Sequence, residues 1–349
     1  MAYSKGLTTI QNGPFRKQPL PGLLLGVLLL ALAAFTSLAI GSANIDLSTV
    51  LHALFAFSGT PDQYTIRDIR VPRTLIAICV GASLAVAGAL MQAVTRNPLA
   101  SPGTMGVNAG ASFLVVAVAF FMGGTSLQIY SGFSLLGAAG AGLLVYFLSS
   151  LGRKGMTPIK LVVAGATIST LFSSLSQGFL TIRESALDEV RFWLAGAVAG
   201  RNMSLFLQAL PYMAVGLLIS LIISKQVTIL SLGDDVARGL GIRVGAIKLV
   251  AAATIVLLAG GAVSIAGPIG FVGLVIPHIV RALVGTEYRW IIPYSMIYGA
   301  LLLLLSDIVA RIIFHPGEAP VGAITALVGA PVLIWLVRQQ NARKGKENA

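Results

Sequence analysis

In a chain this apolar, the stretch Ile229–Gly245 (ILSLGDDVARGLGIRVG) is where residue types and spacing offer something to do. Gly233 breaks the helix before it. Asp234 or Asp235 can cap a new helix, because a carboxylate accepts the orphan N–H groups of a first turn and suits the positive end of the helix dipole. Val236 and Leu240 lie four apart on one face, with Ala237 and Arg238 between them, and Gly239 and Gly241 stop the helix within about two turns. The result is a short amphipathic stub between two long apolar segments, a thing another protein can grip. The plainer reading is an interhelical loop with one helical turn. Bond-making chemistry has no such constellation. The sequence contains no G-x-x-x-x-G-K-[ST], H-E-x-x-H or G-x-S-x-G. His52, His278 and His315 are scattered, and Cys79 is the only cysteine, so neither a metal site nor an intrachain disulfide is expected.

The elements that must position this stub are membrane helices. Of the 349 residues 56% are apolar and 10% charged, where a soluble domain carries roughly 25% charged residues. The fold class expected is an all-α polytopic membrane protein with about ten transmembrane helices. The apolar runs lie near residues 20–40, 71–93, 103–122, 131–151, 158–180, 204–224, 246–265, 271–285, 290–312 and 320–338, the eighth short and interrupted by Pro277. Residues 1–19 and 339–349 are expected as cytoplasmic tails around a permease domain over 20–338. No short apolar region with a cleavage site follows Lys5, Arg16 and Lys17, so the first run is not expected to be a removable signal. Ser42 to Ile69 reads as a polar loop, and Arg183 to Arg191 as a charged stretch followed by a short helical piece. The 39 glycines suit closely packed membrane helices.

Ten spans put both termini on one side, and the charges test this. Seven of the 24 Lys and Arg (Arg67, Arg70, Arg73, Arg183, Arg191, Arg201 and Arg311) fall on the far side, against 17 on the side of the N-terminus. The bias agrees with the positive-inside rule and places Ile229–Gly245 in the cytoplasm. The net charge of +12 therefore reports topology rather than nucleic-acid binding. An apolar helix broken by Gly and Pro, then a Gly-spaced restart, occurs at Ala87–Val107 and again at Ala259–Gly273. The first break faces in and the second out, as expected of an inverted pseudo-repeat, although chance similarity is the alternative in Gly-rich helices.

Arg70-Val-Pro-Arg73, Gly88-Ala-Leu-Met-Gln92 and Asn97-Pro-Leu-Ala-Ser-Pro-Gly103 open a set of motifs spread over about residues 40–338. Leu232-Gly-Asp-Asp-Val-Ala-Arg-Gly-Leu-Gly241, Gly267-Pro-Ile-Gly-Phe-Val-Gly-Leu-Val-Ile-Pro-His278, Asp307-Ile-Val-Ala-Arg311 and Gly329-Ala-Pro331 continue it. The set resembles the FecCD family, the permease subunits of type II ABC importers for iron–siderophore, haem and cobalamin. The resemblance implies a BtuC-like fold, a second permease subunit (identical or homologous), two ATPase subunits beneath, and an extracytoplasmic binding protein. ATP and Mg would be held by the partner ATPase, with no cofactor on this chain. It implies that Gly233, Asp234, Asp235, Val236, Ala237, Arg238, Leu240 and Gly241 form the coupling segment held in a cleft of the ATPase, with Val236, Ala237 and Leu240 as its packed face. It implies that Arg70, Arg73 and Arg311 pair with glutamates of the binding protein, a role suited to the planar guanidinium fork. The alternatives are snorkelling, or pairing with Asp68 and Asp307. It implies a pathway between two permease subunits, lined on the fifth helix by Gly165, Thr167, Ser169, Thr170, Ser173, Ser174 and Gln177 and on the tenth by Gly322, Thr325 and Gly329. Close helix packing is the competing role for those small residues. The expected function is import of a ferric siderophore, with cobalamin or haem as the alternative cargo. A proton-coupled secondary transporter is the rival class, disfavoured because no ionisable residue is expected at mid-membrane depth.

Overall fold

The computed structural model describes residues 14–15, 18–41, 45–151, 157–314 and 317–347, with side chains described as far as residue 334 and at Arg338. Lys5, Arg16, Lys17, Arg153, Lys154 and His315 lie outside the described residues. Among these described residues fifteen α-helices follow in order: α1 Pro19–Ala39, α2 Leu47–Phe55, α3 Pro61–Tyr64, α4 Val71–Thr95, α5 Val107–Phe121, α6 Leu127–Ser150, α7 Pro158–Ile182 and α8 Glu184–Leu194, then α9 Met203–Ile222, α10 Ser224–Ser231, α11 Asp234–Gly239, α12 Val244–Ala266, α13 Val272–Val284, α14 Tyr288–Ile313 and α15 Val321–Glu347. Helix is the expected solution, because a backbone in hydrocarbon must satisfy its N–H and C=O groups within its own segment. Among the described residues, seven helices are long and apolar enough to cross a membrane: α1, Pro61–Thr95, α6, α7, α9, α12 and α14. Val107–Phe121, Val272–Val284 and Val321–Ile334 are shorter apolar helices. Together they match the ten apolar runs one for one. The eighth run, α13, has 13 residues. At 1.5 Å per residue it spans about 20 Å, less than the roughly 30 Å of a hydrocarbon core.

Two expectations change. Of the stretch Ser42 to Ile69, the described residues 45–69 are largely helical rather than a loop: α2 buries Val50 and Ala53 in a small cluster with Leu38, Ile45 and Ile66. The second span begins at Pro61, not near residue 71, because a π-helical turn over Thr65–Arg70 joins α3 to α4. Pro72 has no N–H to donate, and the Val71 N–H reaches back to the Ile66 carbonyl, widening the turn by one residue. At the other end of the chain, α15 runs on through Glu347, into the stretch expected as a tail.

The core is built around α4 and α12. Their most apolar windows are 83% and 72% buried, against 22% for the peripheral α7. Lipid is as apolar as leucine, so helices here associate through close contact of small residues. Gly81 and Gly299 bring α4 and α14 together; a Cβ on either would lie 2.4–2.5 Å from the other's carbonyl oxygen. Gly88 and Gly273 do the same for α4 and α13, where a Cβ on Gly88 would fall 1.8 Å from the Gly273 oxygen. Gln92, one turn beyond, donates to the Gly273 and Leu274 carbonyls. α4 and α12 run antiparallel, since the end of α4 and the start of α12 share one carboxylate (below). The break after α4 uses the left-handed residues Arg96 (φ 49°) and Gly106; the break after α12 uses Gly267 and Phe271 (φ 66°). The two breaks therefore lie at opposite ends of the pair.

Gly88→Ala should destabilise the folded protein by about 1–3 kcal/mol through overpacking at a backbone contact. Gly178→Ala, where a Cβ would meet nothing within 4 Å, should not. Thermal unfolding in detergent checks both; equal midpoints would deny that the α4–α13 contact sets the packing.

Candidate functional site

The stub lies where the sequence put it. α10 ends at Ser231, Gly233 turns the chain at φ 130°, α11 covers Asp234–Gly239, and Gly241 at φ 79° turns the chain again into α12. A φ of 130° is open to glycine and closed to ordinary residues. The roles within the stub differ from expectation. Asp234 makes no cap hydrogen bond. It accepts instead from Arg96 Nη2 at 3.1 Å and from Lys248 Nζ at 2.6 Å. Ala237 is fully buried beneath the stub, while Leu232, Val236 and Leu240 are exposed. The expected packed face thus splits, with Ala237 pointing in and Val236 and Leu240 out, because a six-residue helix lying on a bundle has an inner and an outer side. Asp235 is solvated and pairs with Arg238 one turn on, at 3.1 Å.

Two cavities flank the stub. One of about 640 Å³ is bordered by Tyr146, Ser150, Asp234, Arg238, Arg243 and Lys248. The other, of about 230 Å³, is bordered by Gln92, Arg96, Pro98, Ser231, Arg281 and Tyr288. In the second, Arg281 donates to the Gln92 side-chain oxygen.

At the opposite end of α4, Arg70, Arg73 and Arg311 converge, but inside the fold. All three are buried. Arg73 grips Asp307 through Nε and Nη2 (2.8–3.1 Å) and Glu318 through Nη1 (2.8–3.0 Å). Arg311 donates to Asp307 Oδ2, which it shares with Arg73 Nε, at 2.7 Å, to the Ser37 hydroxyl at 2.6 Å, and to the Ser37 and Ile40 carbonyls at 2.9 Å. Arg70 donates to the Leu38 and Ala39 carbonyls at 2.7–2.8 Å. The cluster thus closes the end of α1 onto α4 and α14. The alternative partner Asp307 is engaged by both Arg73 and Arg311, as its position one turn before Arg311 suggested. Glu318 and Ser37, which complete the set, carried no signal in the sequence: their closeness is tertiary.

The residues expected along a pathway divide by burial. On α7, Thr167, Thr170, Ser173, Ser174 and Gln177 are exposed, while Gly165 is packed against the Thr104 carbonyl and Ser169 is half-buried. Thr167, Thr170, Ser174 and Gln177 follow the i, i+3, i+7, i+10 spacing of one helix face. On α15, Thr325 and Gly329 are buried, Gly329 against the Phe271 ring, and Gly322 abuts the Ala195 carbonyl. The α15 residues therefore serve close packing here. Their neighbour is the loop after α8: the Gly322 N–H donates to the Gly196 carbonyl at 3.0 Å and Ala197 to Ala266 at 2.8 Å. α8 is held by Glu189, which accepts from the Tyr130 hydroxyl at 2.7 Å and the Gly124 N–H at 3.0 Å. These donors hold its carboxyl below the usual range.

The chain matches the model of the FecCD transport family over residues 29–339. It is 48% identical to the "Probable siderophore transport system permease protein YfiZ" of Bacillus subtilis, over 90% of this chain and 94% of the relative. It is 41% identical to the "Ferric enterobactin transport system permease protein FepD" of Escherichia coli, over 92% and 95%. Among solved structures, an inward-facing metal-chelate type ABC transporter superposes with a TM-score of 0.80 at 34% identity, covering 91% of this chain and 98% of that one.

Removing Asp307 leaves two buried guanidiniums without their shared anion, so Asp307→Ala should cost about 3–5 kcal/mol. Glu318→Ala, which removes a half-exposed partner, should cost about 1 kcal/mol or less. Denaturation midpoints of the two variants in the same detergent check the ranking.

Proposed function

The chain belongs to the FecCD transport family, and on that premise we propose that it carries an iron–siderophore chelate across a bacterial cytoplasmic membrane as the permease subunit of an ABC importer. The cargo is inferred from the relatives, one named as a probable siderophore transport permease and one as a ferric enterobactin transport permease. The structural observation that carries the mechanical part is α11. It sets Leu232, Val236 and Leu240 in solvent outside the bundle, on the side that the charge bias assigns to the cytoplasm. Three exposed apolar side chains around a short helix suit a cleft on a partner ATPase, which would hold ATP and Mg²⁺ and do the hydrolysis. Asp235 and Arg238, the solvated pair beside them, supply polar contacts. Gly233 and Gly241 fix the turns that project the stub.

The peripheral α7 supports a second permease subunit. Its polar face from Thr167 to Gln177 is exposed at membrane depth, where contact with lipid is unfavourable and a wet pathway between two subunits is not. Hydroxyls and an amide without charge let a bulky chelate pass without holding it. The extracytoplasmic binding protein docks at the arginine end. There the exposed member of the cluster is Glu318, the partner of Arg73 Nη1, whereas Asp307 is buried. A carboxylate of the binding protein would exchange with Glu318.

Uptake of radioactive iron–siderophore into proteoliposomes holding this chain, its partner permease, the ATPase and the binding protein tests the whole reading. Uptake of cobalamin or haem instead would reassign the cargo, and uptake driven by a proton gradient without ATP would reject the class. Leu232→Ser/Val236→Ser/Leu240→Ser should lower ATPase co-purification about tenfold or more, since burying each side chain is worth ~1 kcal/mol or more; undiminished co-purification would remove α11 from the interface. Charge reversal of Arg70 or Arg73 confounds docking with folding, since both are buried. Glu318→Gln is the cleaner variant. It should tighten binding-protein association several-fold in nanodiscs, and weaker or unchanged binding would reject the exchange.

A further inference from the structure

Among the described residues, the Asp234 carboxylate is the acidic group that joins the stub to the bundle. One oxygen takes Arg96 and the other takes Lys248, at 3.1 and 2.6 Å. The two cations belong to different helices. Lys248 stands in the second turn of α12 and is 5% exposed; a buried ammonium depends on its counter-ion. Arg96 is the C-cap of α4 and has left-handed backbone, φ 49° and ψ 34°, which an arginine adopts at some cost. It is also the first residue of the break that reverses the chain after α4, where the Asn97 side chain accepts the Leu99 N–H at 3.0 Å. Gly233 lies against the same guanidinium, with its Cβ position 3.7 Å from Arg96 Nη1. Asp234 faces inward and its neighbour Asp235 outward.

We propose that Asp234 is a positioning residue that transmits movement: clasped by Arg96 and Lys248, it makes α11 move as one body with the cytoplasmic ends of α4 and α12. Pulling α11 outward without those ends would strip Lys248 of its anion in a buried place, so the ends follow. The displacement reaches the chain reversal at 96–101 through Arg96, whose strained backbone is the point of give. This rests on the reading of α11 as the ATPase contact, but the tie itself belongs to this chain alone.

Asp234→Asn keeps the shape of the side chain and removes its charge. In the full complex it should lower transport per ATP hydrolysed about tenfold, within the usual range of coupling energies, while ATPase co-purification stays at the parent level. Asp234→Glu, which restores the charge, should recover most of the ratio. In the permease alone, in detergent, Asp234→Asn should speed hydrogen exchange of the amides at 96–101 several-fold. A transport-per-ATP ratio within about twofold of the parent would overturn the proposal. So would loss of ATPase co-purification by Asp234→Asn, which would make Asp234 a direct contact. Unchanged exchange at 96–101 would deny the tie whether or not α11 meets an ATPase. Failure of the parent chain to bind an ATPase would sink the α11 reading and leave the exchange result to decide the tie.

Discussion

A charge taken out of water needs a counter-charge close by, and the two ends of α4 are organised by that constraint. At its N-terminal end Arg73 shares Asp307 with Arg311; at its C-terminal end Arg96 shares Asp234 with Lys248. Each carboxylate serves two cations from different parts of the chain. The α4 helix, the most buried of the candidate spans among the described residues, is therefore anchored at both ends by ionic bridges, with Gln92 adding polar contacts to α13 between them. The bridges differ in kind. Asp307 is 1% exposed, in a closed cluster where losing one member leaves like charges facing each other. The Asp234 bridge is open to water on its Arg96 side, while its Lys248 side is buried.

Between those ends the structure relies on absence of side chain. Gly81 against Gly299 and Gly88 against Gly273 let backbones touch where hydrophobic burial supplies little drive, because lipid tails compete equally for apolar surface. This explains why α13 can be too short to cross a bilayer. Its start is wrapped by α4, and Gln92 takes carbonyls that lipid could not satisfy. It also explains why small residues on α7 and α15 are ambiguous from composition alone. Gly165 and Gly329 are used up in packing, whereas Thr167, Thr170 and Gln177 are left on an outer face.

The two charged ends and the glycine contacts between them belong to one packed core. In the proposed tie, movement at α11 bears on α4 and α12 through Asp234. The far end of α12 meets the loop after α8 at Ala266 and Ala197, and that loop meets α15 at Gly196 and Gly322. The helix and loop ends that border both faces are therefore joined through contacts between backbones, which transmit displacement with little compliance.

The sequence by itself determined the order of the ten apolar runs, the two breaks and the place of the stub. All of these depend on hydropathy over about 20 residues and on Gly and Pro, which are local properties. It could not determine partners. That Asp234 faces Arg96 and Lys248 rather than solvent, that Ala237 points in while Val236 and Leu240 point out, and that Arg73 is shut in by Asp307 and Glu318 depend on segments far apart in the chain. The helical course of residues 47–70 was hidden as well, because α2 earns its stability from a tertiary cluster with Leu38 and Ile66 rather than from its own pattern. Only the tertiary structure decides which charges are spoken for within the chain and which are left to meet another protein, since burial and pairing are properties of neighbours and not of residue type.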